Sequence, residues 1–430
     1  MGIATGLGSR VLTLAAPLLT IPVTLRYLGP DLFGFWMIIT SITAMAMFAD
    51  LGLGNGLLTR LAPAVATRDL AKAKTLISTA YATLGGVALL LLIIIWSTVT
   101  ALDWESLVGE SSGLDPQAVR AIAGISLSAF AVTIPLSLVH RVQYAFQEAW
   151  KSNAWQVIAA AFTVAAVYGT AAMDFGYEAI IAAAAFSSPF VMLLNNLFYF
   201  GLRNRALMPT VRSSSASAAG PLLKVGIAFF ALSALTSISL NVDNLIVAKV
   251  ADLETVSAYS VTTKLFSLLG LAITLVALPL WPANGEALAR GDVQCVRKTT
   301  RIMVILSVSA VAAGGLVLIL GRNIIASLWL GPGSTIPLAL AISLVVWSTM
   351  MAVASPLFSV QNSVGLLTYQ FAGWGLFTVL SIPLKFYLYS LFGLPGIPLA
   401  GAATYLLVLV PTAFLGYRAT LRRGVGIGQA

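Results

Sequence analysis

Ionisable side chains set inside apolar stretches are the residues of this sequence best placed to do chemistry. Asp50, Asp243 and Lys264 each interrupt a run rich in aliphatic and aromatic residues. A charge at hydrocarbon depth costs several kcal/mol unless it is paired or hydrated, so each marks an ion pair or a wetted cavity. Counted from a turn centred near Pro30, Arg10 lies 20 residues before and Asp50 lies 20 after. At about 1.5 Å per residue both sit roughly 30 Å from that turn, which allows them to pair across the first two helices. Counted from a turn near Asp252, Asp243 and Lys264 lie 9 and 12 residues away. Their depths then differ by only about 5 Å, and a second pair is expected there. Lys385 is close enough to the outer surface for its ammonium to snorkel. His140 and Arg141, with Gln143 and Tyr144, close the fourth apolar run, either as an interfacial anchor or as a headgroup contact at an inner gate.

If these groups line one cavity, the cations Arg10, Arg141, Lys264 and Lys385 outnumber the anions Asp50 and Asp243. Arginine and lysine give charge-assisted hydrogen bonds to phosphate or diphosphate, so such a cavity suits an anionic headgroup and repels lipophilic cations. Trp36, Trp150, Trp155, Trp281 and Trp347 are candidates for stacking on sugar rings or for an interfacial belt. His140 is the single histidine and Cys295 the single cysteine, which excludes a His-rich metal site, a cysteine cluster and an internal disulfide. The sequence has no Gly-rich phosphate loop ending in Lys-Ser or Lys-Thr, so no nucleotide hydrolysis is expected on this chain. No organic cofactor is expected either.

The elements that hold these groups are legible from composition. Of 430 residues, 59% are hydrophobic and only 9% charged, too few to solvate a soluble protein of this length. Apolar runs of about 20 residues recur near 4–27, 33–58, 74–102, 118–140, 152–173, 178–201, 220–250, 255–282, 299–320, 335–359, 366–391 and 396–417. Each can cross a hydrocarbon core of roughly 30 Å, and in lipid the backbone must satisfy itself, so about twelve transmembrane helices are expected. The first run is too long for a signal-peptide core and is expected to be retained. With both termini cytoplasmic, the inner segments collect Arg10; Arg60, Arg68, Lys72 and Lys74; Arg141 and Lys151; Arg203, Arg205 and Arg212; Arg290, Arg297, Lys298 and Arg301; and Arg418, Arg422 and Arg423. The outer turns collect Asp31, Asp103, Glu105, Glu110, Asp115, Asp174, Glu178, Asp252 and Glu254. That asymmetry obeys the positive-inside rule and accounts for the net charge of +9 without invoking nucleic acid.

The chain also repeats itself. Arg26 and Lys249, Trp36 and Tyr259, Asp69 and Asp292, and Lys74 and Arg297 are all 223 residues apart. Parallel halves of this kind are a signature of carrier folds, which points to transport. The stretch 212–219, Arg-Ser-Ser-Ser-Ala-Ser-Ala-Ala, is small and flexible. It divides an amino-terminal lobe of six helices, 1–211, from a carboxy-terminal lobe, 220–430. Membrane-embedded prolines, including Pro17, Pro22, Pro135, Pro189, Pro279, Pro282, Pro356 and Pro383, fit helices that bend.

The residues from Arg26 to Trp36 (Arg-Tyr-Leu-Gly-Pro-Asp-Leu-Phe-Gly-Phe-Trp) and Asp50-Leu-Gly-Leu-Gly-Asn55 carry a family pattern. It resembles the polysaccharide transporter family of O-antigen and teichoic-acid exporters, within the multidrug/oligosaccharidyl-lipid/polysaccharide flippase superfamily. The resemblance extends more weakly to 241–246 and 259–264. It implies an all-α integral membrane protein with two six-helix bundles forming a V around a central cavity. It further implies alternating access that moves undecaprenyl-diphosphate-linked oligosaccharide from the inner to the outer leaflet of a bacterial cytoplasmic membrane. Surface polysaccharide assembly, with a polymerase among the partners, is the implied setting. Arg10, Asp50, Asp243 and Lys264 inherit only the expectation of facing the cavity, and coupling to H+ or Na+ stays open. A multidrug extruder of the same superfamily shares the helix count but calls for an acidic cavity. A membrane enzyme of glycan assembly calls for a large outer loop bearing paired catalytic residues.

Overall fold

In the computed structural model the described residues are 2–46, 52–102 and 114–427; side chains at 2–11, 14, 55, 62, 66, 216–219, 221–226, 228, 229, 272, 275–283, 289 and 423–427 also lie outside the description. All regular elements among the described residues are helical. Helix α1 spans Gly2–Met45, α2 Leu53–Ala66, α3 Leu70–Ala101, α4 Pro116–Leu136, α5 Leu138–Ala145, α6 Ala149–Ala172 and α7 Tyr177–Asn196. After short turns come α8 Ala216–Asn241, α9 Asp243–Val250, α10 Leu253–Phe266, α11 Leu268–Ala289 and α12 Val293–Leu330. The chain ends with α13 Leu338–Ser363, α14 Thr368–Phe392, α15 Gly396–Thr404 and α16 Val410–Ile427. Ten helical stretches among the described residues are long and apolar enough to cross a membrane.

That count covers the described residues only, and two of the twelve runs read in the sequence do not stand alone in it. The runs 4–27 and 33–58 meet inside α1 at Gly29, whose φ of 74° and ψ of 168° are non-helical. Nothing packs within 4 Å of where a Cβ on Gly29 would lie, so the glycine is needed for its backbone angle rather than for space. Pro30 then restarts the helix with a preset φ. The run 255–282 falls on α10 and α11, which meet at Ser267, and many side chains of α11 lie outside the description.

The internal repeat has a structural counterpart. Helices α2 and α11 end at Ala66 and Ala289, and α3 and α12 begin at Leu70 and Val293. Between them Arg68 and Gly291 both take a positive φ. Asp69 and Asp292 then cap the next helix, accepting from the N–H of Lys72 and Cys295 at 2.9 Å each. Even the turn bonds correspond: Asp69 N–H reaches Ala64 O and Asp292 N–H reaches Ala287 O, both at 2.9 Å. The same cap recurs at Asp252, which accepts from Thr255 N–H at 2.8 Å. Hydrogen bonds from Thr255 hold the Asp252 carboxyl below the usual carboxylate range.

The chain divides into two compact units, Met1–Ser237 with Ala251–Ala258, and Ile238–Val250 with Tyr259–Ala430. In the first, α6 packs on α1 and α7, and α4 on α7 and α3. Its core holds Leu53, Leu57, Leu61, Ile77, Leu84, Val139, Val142 and Tyr199. Gly34 lies so close to the Leu253 backbone that a methyl there would overlap the Leu253 carbonyl. In the second, α12 packs on α11 and α13, and α14 on α15. Trp347, Trp374, Phe377 and Tyr405 interlock there with ring centroids 5.4–6.1 Å apart. Large apolar side chains left exposed, such as Leu89, Leu90, Ile93 and Ile94 on α3 and Leu320, Ile324 and Leu328 on α12, form stripes suited to lipid contact.

Candidate functional site

The charged cluster of the second unit is built at a helix break. Helix α8 ends at Asn241 and α9 restarts at Asp243, with Val242 O accepting from the N–H groups of Leu245 and Ile246 at 3.0 Å. Asp243 Oδ1 accepts from Lys385 Nζ of α14 at 2.5 Å, and Oδ2 accepts from the Tyr259 hydroxyl of α10 at 3.0 Å. Ser260 Oγ donates to Asn244 Oδ1 at 2.9 Å, and Ser239 and Thr378 share a hydroxyl bond of 2.5 Å. Three helices are thereby tied by one carboxylate and its neighbours. Lys385 is 3% exposed, while the Asp243 side chain keeps 25% of its surface open.

This arrangement corrects two expectations. Lys385 does not snorkel to the surface, and Asp243 pairs with it rather than with Lys264. The reason is rotation about the helix axis, which depth counting ignores. Tyr259 is the α10 residue that faces Asp243, and Lys264 follows it by five residues, about 500° of turn, or roughly 140° around the helix. Lys264 is exposed and makes no ion pair among the described residues. Arg141 is half-buried on α5 and likewise makes no ion pair among the described residues. Asp50 lies outside the described residues, as does the side chain of Arg10, so their pairing is an expectation from the sequence alone.

His140 is drawn into the first unit. Its Nδ1 shares a hydrogen bond of 2.8 Å with Ser152 Oγ, which accepts from Gln156 Nε2 at 3.2 Å. Gln143 is fully buried and bound to Asn195 at 2.8 Å, so it is a packing residue rather than a gate contact. Tyr81 donates to Asn196 Oδ1 at 2.5 Å, and Asn196 Nδ2 donates to Leu136 O at 3.0 Å. The seam continues to Lys151, which is buried, paired with Glu148, and placed 5.7 and 5.9 Å from the Trp150 and Tyr199 ring centroids.

Sequence reasoning treated Lys151 only as a loop cation and passed over Asn195 and Asn196. Two adjacent amides inside the apolar run 178–201 were the available signal, because a polar group in lipid requires a partner. Of the tryptophans, Trp36 packs in the core with Phe33 at 5.8 Å and Trp347 joins the aromatic group of the second unit. Trp150 is exposed, Trp155 meets Phe198 at 6.1 Å, and the Trp281 side chain lies outside the description. Cys295 is free and exposed, and no three His, Cys, Asp or Glu side chains gather among the described residues.

Solved structures share this fold at low sequence identity. An inward-facing multidrug resistance MATE family transporter of the MOP superfamily matches with a TM-score of 0.73 and 14% identity, over 96% of each chain. Its outward-facing counterpart matches with a TM-score of 0.71 and 14% identity, over 100% of this chain and 96% of that one. A MOP superfamily transporter from Pyrococcus furiosus Vc1, described as having a binding pocket of reverse polarity, matches with a TM-score of 0.68 and 13% identity, over 100% and 95%. No curated protein matches the sequence. Residues 229–364 match the MatE family. Residues 2–283, well over half of the chain, match the family described as polysaccharide biosynthesis protein, and this multi-pass membrane protein belongs to that family.

Proposed function

We propose that the chain is a flippase, carrying undecaprenyl-diphosphate-linked oligosaccharide from the cytoplasmic to the outer leaflet of a bacterial inner membrane. The family match supports the pathway, and the intramembrane charge balance supports the cargo. With Asp243 neutralised by Lys385, Lys264 and Arg141 are left without ion-pair partners among the described residues. Lys264 carries the reading: a lysine on an apolar helix, with no ion-pair partner among the described residues, suits a diphosphate. The two six-helix lobes, 1–211 and 220–430 joined at 212–219, would give the cargo access to each leaflet in turn. The glycan and diphosphate would cross along a hydrophilic path while the polyprenyl tail stays in lipid. Both termini lie in the cytoplasm in this scheme, and a glycan polymerase takes the product.

A multidrug extruder is the second reading, supported by the likeness to MATE structures. It requires an acidic site for lipophilic cations, and the one described membrane-depth aspartate in the second unit is already held by a lysine. The deciding experiment deletes the gene and quantifies lipid-linked oligosaccharide beside surface polysaccharide. Accumulated diphosphate-linked repeat units with lost surface glycan support the flippase. Unchanged glycan in a host without a redundant exporter refutes it. For the site, Lys264→Ala should weaken binding of undecaprenyl diphosphate to the purified protein by about tenfold or more, the loss of one charge-assisted bond. Unchanged affinity removes Lys264 from the cargo site.

A further inference from the structure

We propose that the turn segment after α7, residues 202–214, is a docking surface for the headgroups of anionic phospholipids. Three observations converge on this segment. The first is position. A π-helical stretch, Leu197–Arg203, continues α7 to the end of its candidate span, and the next long helix, α8, begins at Ala216. The residues between lie where a membrane helix leaves the hydrocarbon.

The second observation is a two-faced build. Leu207 is 3% exposed and joins the core of the first unit. Thr210 N–H donates to Ser78 Oγ at 3.2 Å and Ser215 N–H to Thr79 Oγ1 at 3.0 Å, pinning the segment along α3. Short helical turns at Arg205–Leu207 and Val211–Ser213 then leave the other face outward. That face carries Leu202, 69% exposed, Met208, and Val211, 83% exposed. A pinned backbone does not bring such large apolar groups out into water without a reason; lipid acyl chains supply one.

The third observation is charge. Arg203, Arg205 and Arg212 are interleaved with those apolar groups and exposed, and none forms an ion pair among the described residues. Arg205 Nε donates to Gly201 O at 2.7 Å, which leaves the outer edge of its guanidinium free. The sequence holds no Asp or Glu between Glu178 and Asp243, and Glu148, which like Arg203 lies near Tyr199, is paired with Lys151. Asp69 at the start of neighbouring α3 is occupied as the helix cap. Alternating apolar and arginine side chains at the edge of the hydrocarbon match an acyl boundary topped by phosphates. An interior-facing linker would show the opposite, with its apolar groups covered.

The test uses the full chain in nanodiscs of phosphatidylcholine and phosphatidylglycerol, with co-retained lipid measured by native mass spectrometry. Arginine near an anionic surface contributes about a fivefold preference, so the Arg203→Gln, Arg205→Gln, Arg212→Gln triple variant should lose retained phosphatidylglycerol by on the order of 100-fold. A control triple, Arg297→Gln, Lys298→Gln, Arg301→Gln, alters exposed cations at the start of α12 and should change retention much less. Val211→Ser with Met208→Ser should weaken retention without altering the charge. Equal loss in both triples overturns the proposal in favour of diffuse interfacial charge, and undiminished retention in the first triple overturns it outright. Selective retention of an undecaprenyl diphosphate carrier over phosphatidylglycerol also overturns it, by giving the arginines to cargo.

Discussion

Removing either partner of the Asp243–Lys385 pair should have unequal effects, and the inequality follows from burial. Asp243→Ala leaves an ammonium that is 3% exposed with no counter-charge, a situation that costs about 3–5 kcal/mol. Lys385→Met leaves a carboxylate that keeps 25% of its surface and the hydroxyl of Tyr259. We predict a loss there of only about 1–2 kcal/mol, because water and a remaining donor can still serve it. The double variant buries no charge at all and should lie within about 1–2 kcal/mol of the parent, well short of the sum. For a cooperative unit of this size, about 2–4 °C accompanies each kcal/mol. Thermal unfolding in detergent, followed by tryptophan fluorescence, should therefore fall by roughly 6–20 °C for Asp243→Ala and roughly 2–8 °C for Lys385→Met. A larger loss for Lys385→Met, or a double variant equal to the sum of the singles, would refute the pairing and its burial.

Three further outcomes are expected. Gln143→Leu strands the buried Asn195 amide; it should cost about 1–3 kcal/mol, read as a lower melting temperature, and a neutral result would contradict the amide pair. Tyr27 donates to Asp174 at 2.6 Å and accepts from Gly176 N–H at 2.9 Å, closing a turn whose Asp174 and Gly176 both have positive φ. Tyr27→Phe should speed chymotrypsin cleavage at exposed Phe175 severalfold, since one or two bonds of about 1 kcal/mol hold the turn; an unchanged rate discounts that tether. Gly34→Ala sets a methyl into the Leu253 carbonyl. It should reduce the monodisperse fraction on size exclusion, at a cost of about 1–3 kcal/mol, and full tolerance would show the contact to be loose.

Helix class and span positions were legible because lipid makes a simple demand: about 20 apolar residues and an internally bonded backbone. The repeat was legible too, since Asp69 and Asp292 cap the helices that follow with the same bonds at the same offset. The partner of Asp243 was not. Residue counting along a hairpin gives depth, and depth alone made Lys264 a match. The partner, Lys385, lies 142 residues further on, on a helix whose rotation only tertiary packing fixes. Lys151 was missed for a related reason. It lies near the end of a span, where a lysine reads as an anchor, and the ring of Tyr199 that helps to bury it comes from α7's continuation.

The allocation of the α8–α10 hairpin bears on how the chain is made. Residues 251–258 belong with the first unit although 238–250 and 259–430 belong with the second. Synthesis delivers the amino-terminal residues first. The Gly34 surface is therefore finished while the second half is still leaving the ribosome, and Leu253 has a place to seat as soon as it emerges. A gene cut at 212–219 would encode one product lacking 251–258 and another whose 251–258 had nothing of its own unit to rest on. Two half-genes should accordingly yield stable protein only when expressed together, each fragment acting as scaffold for the other.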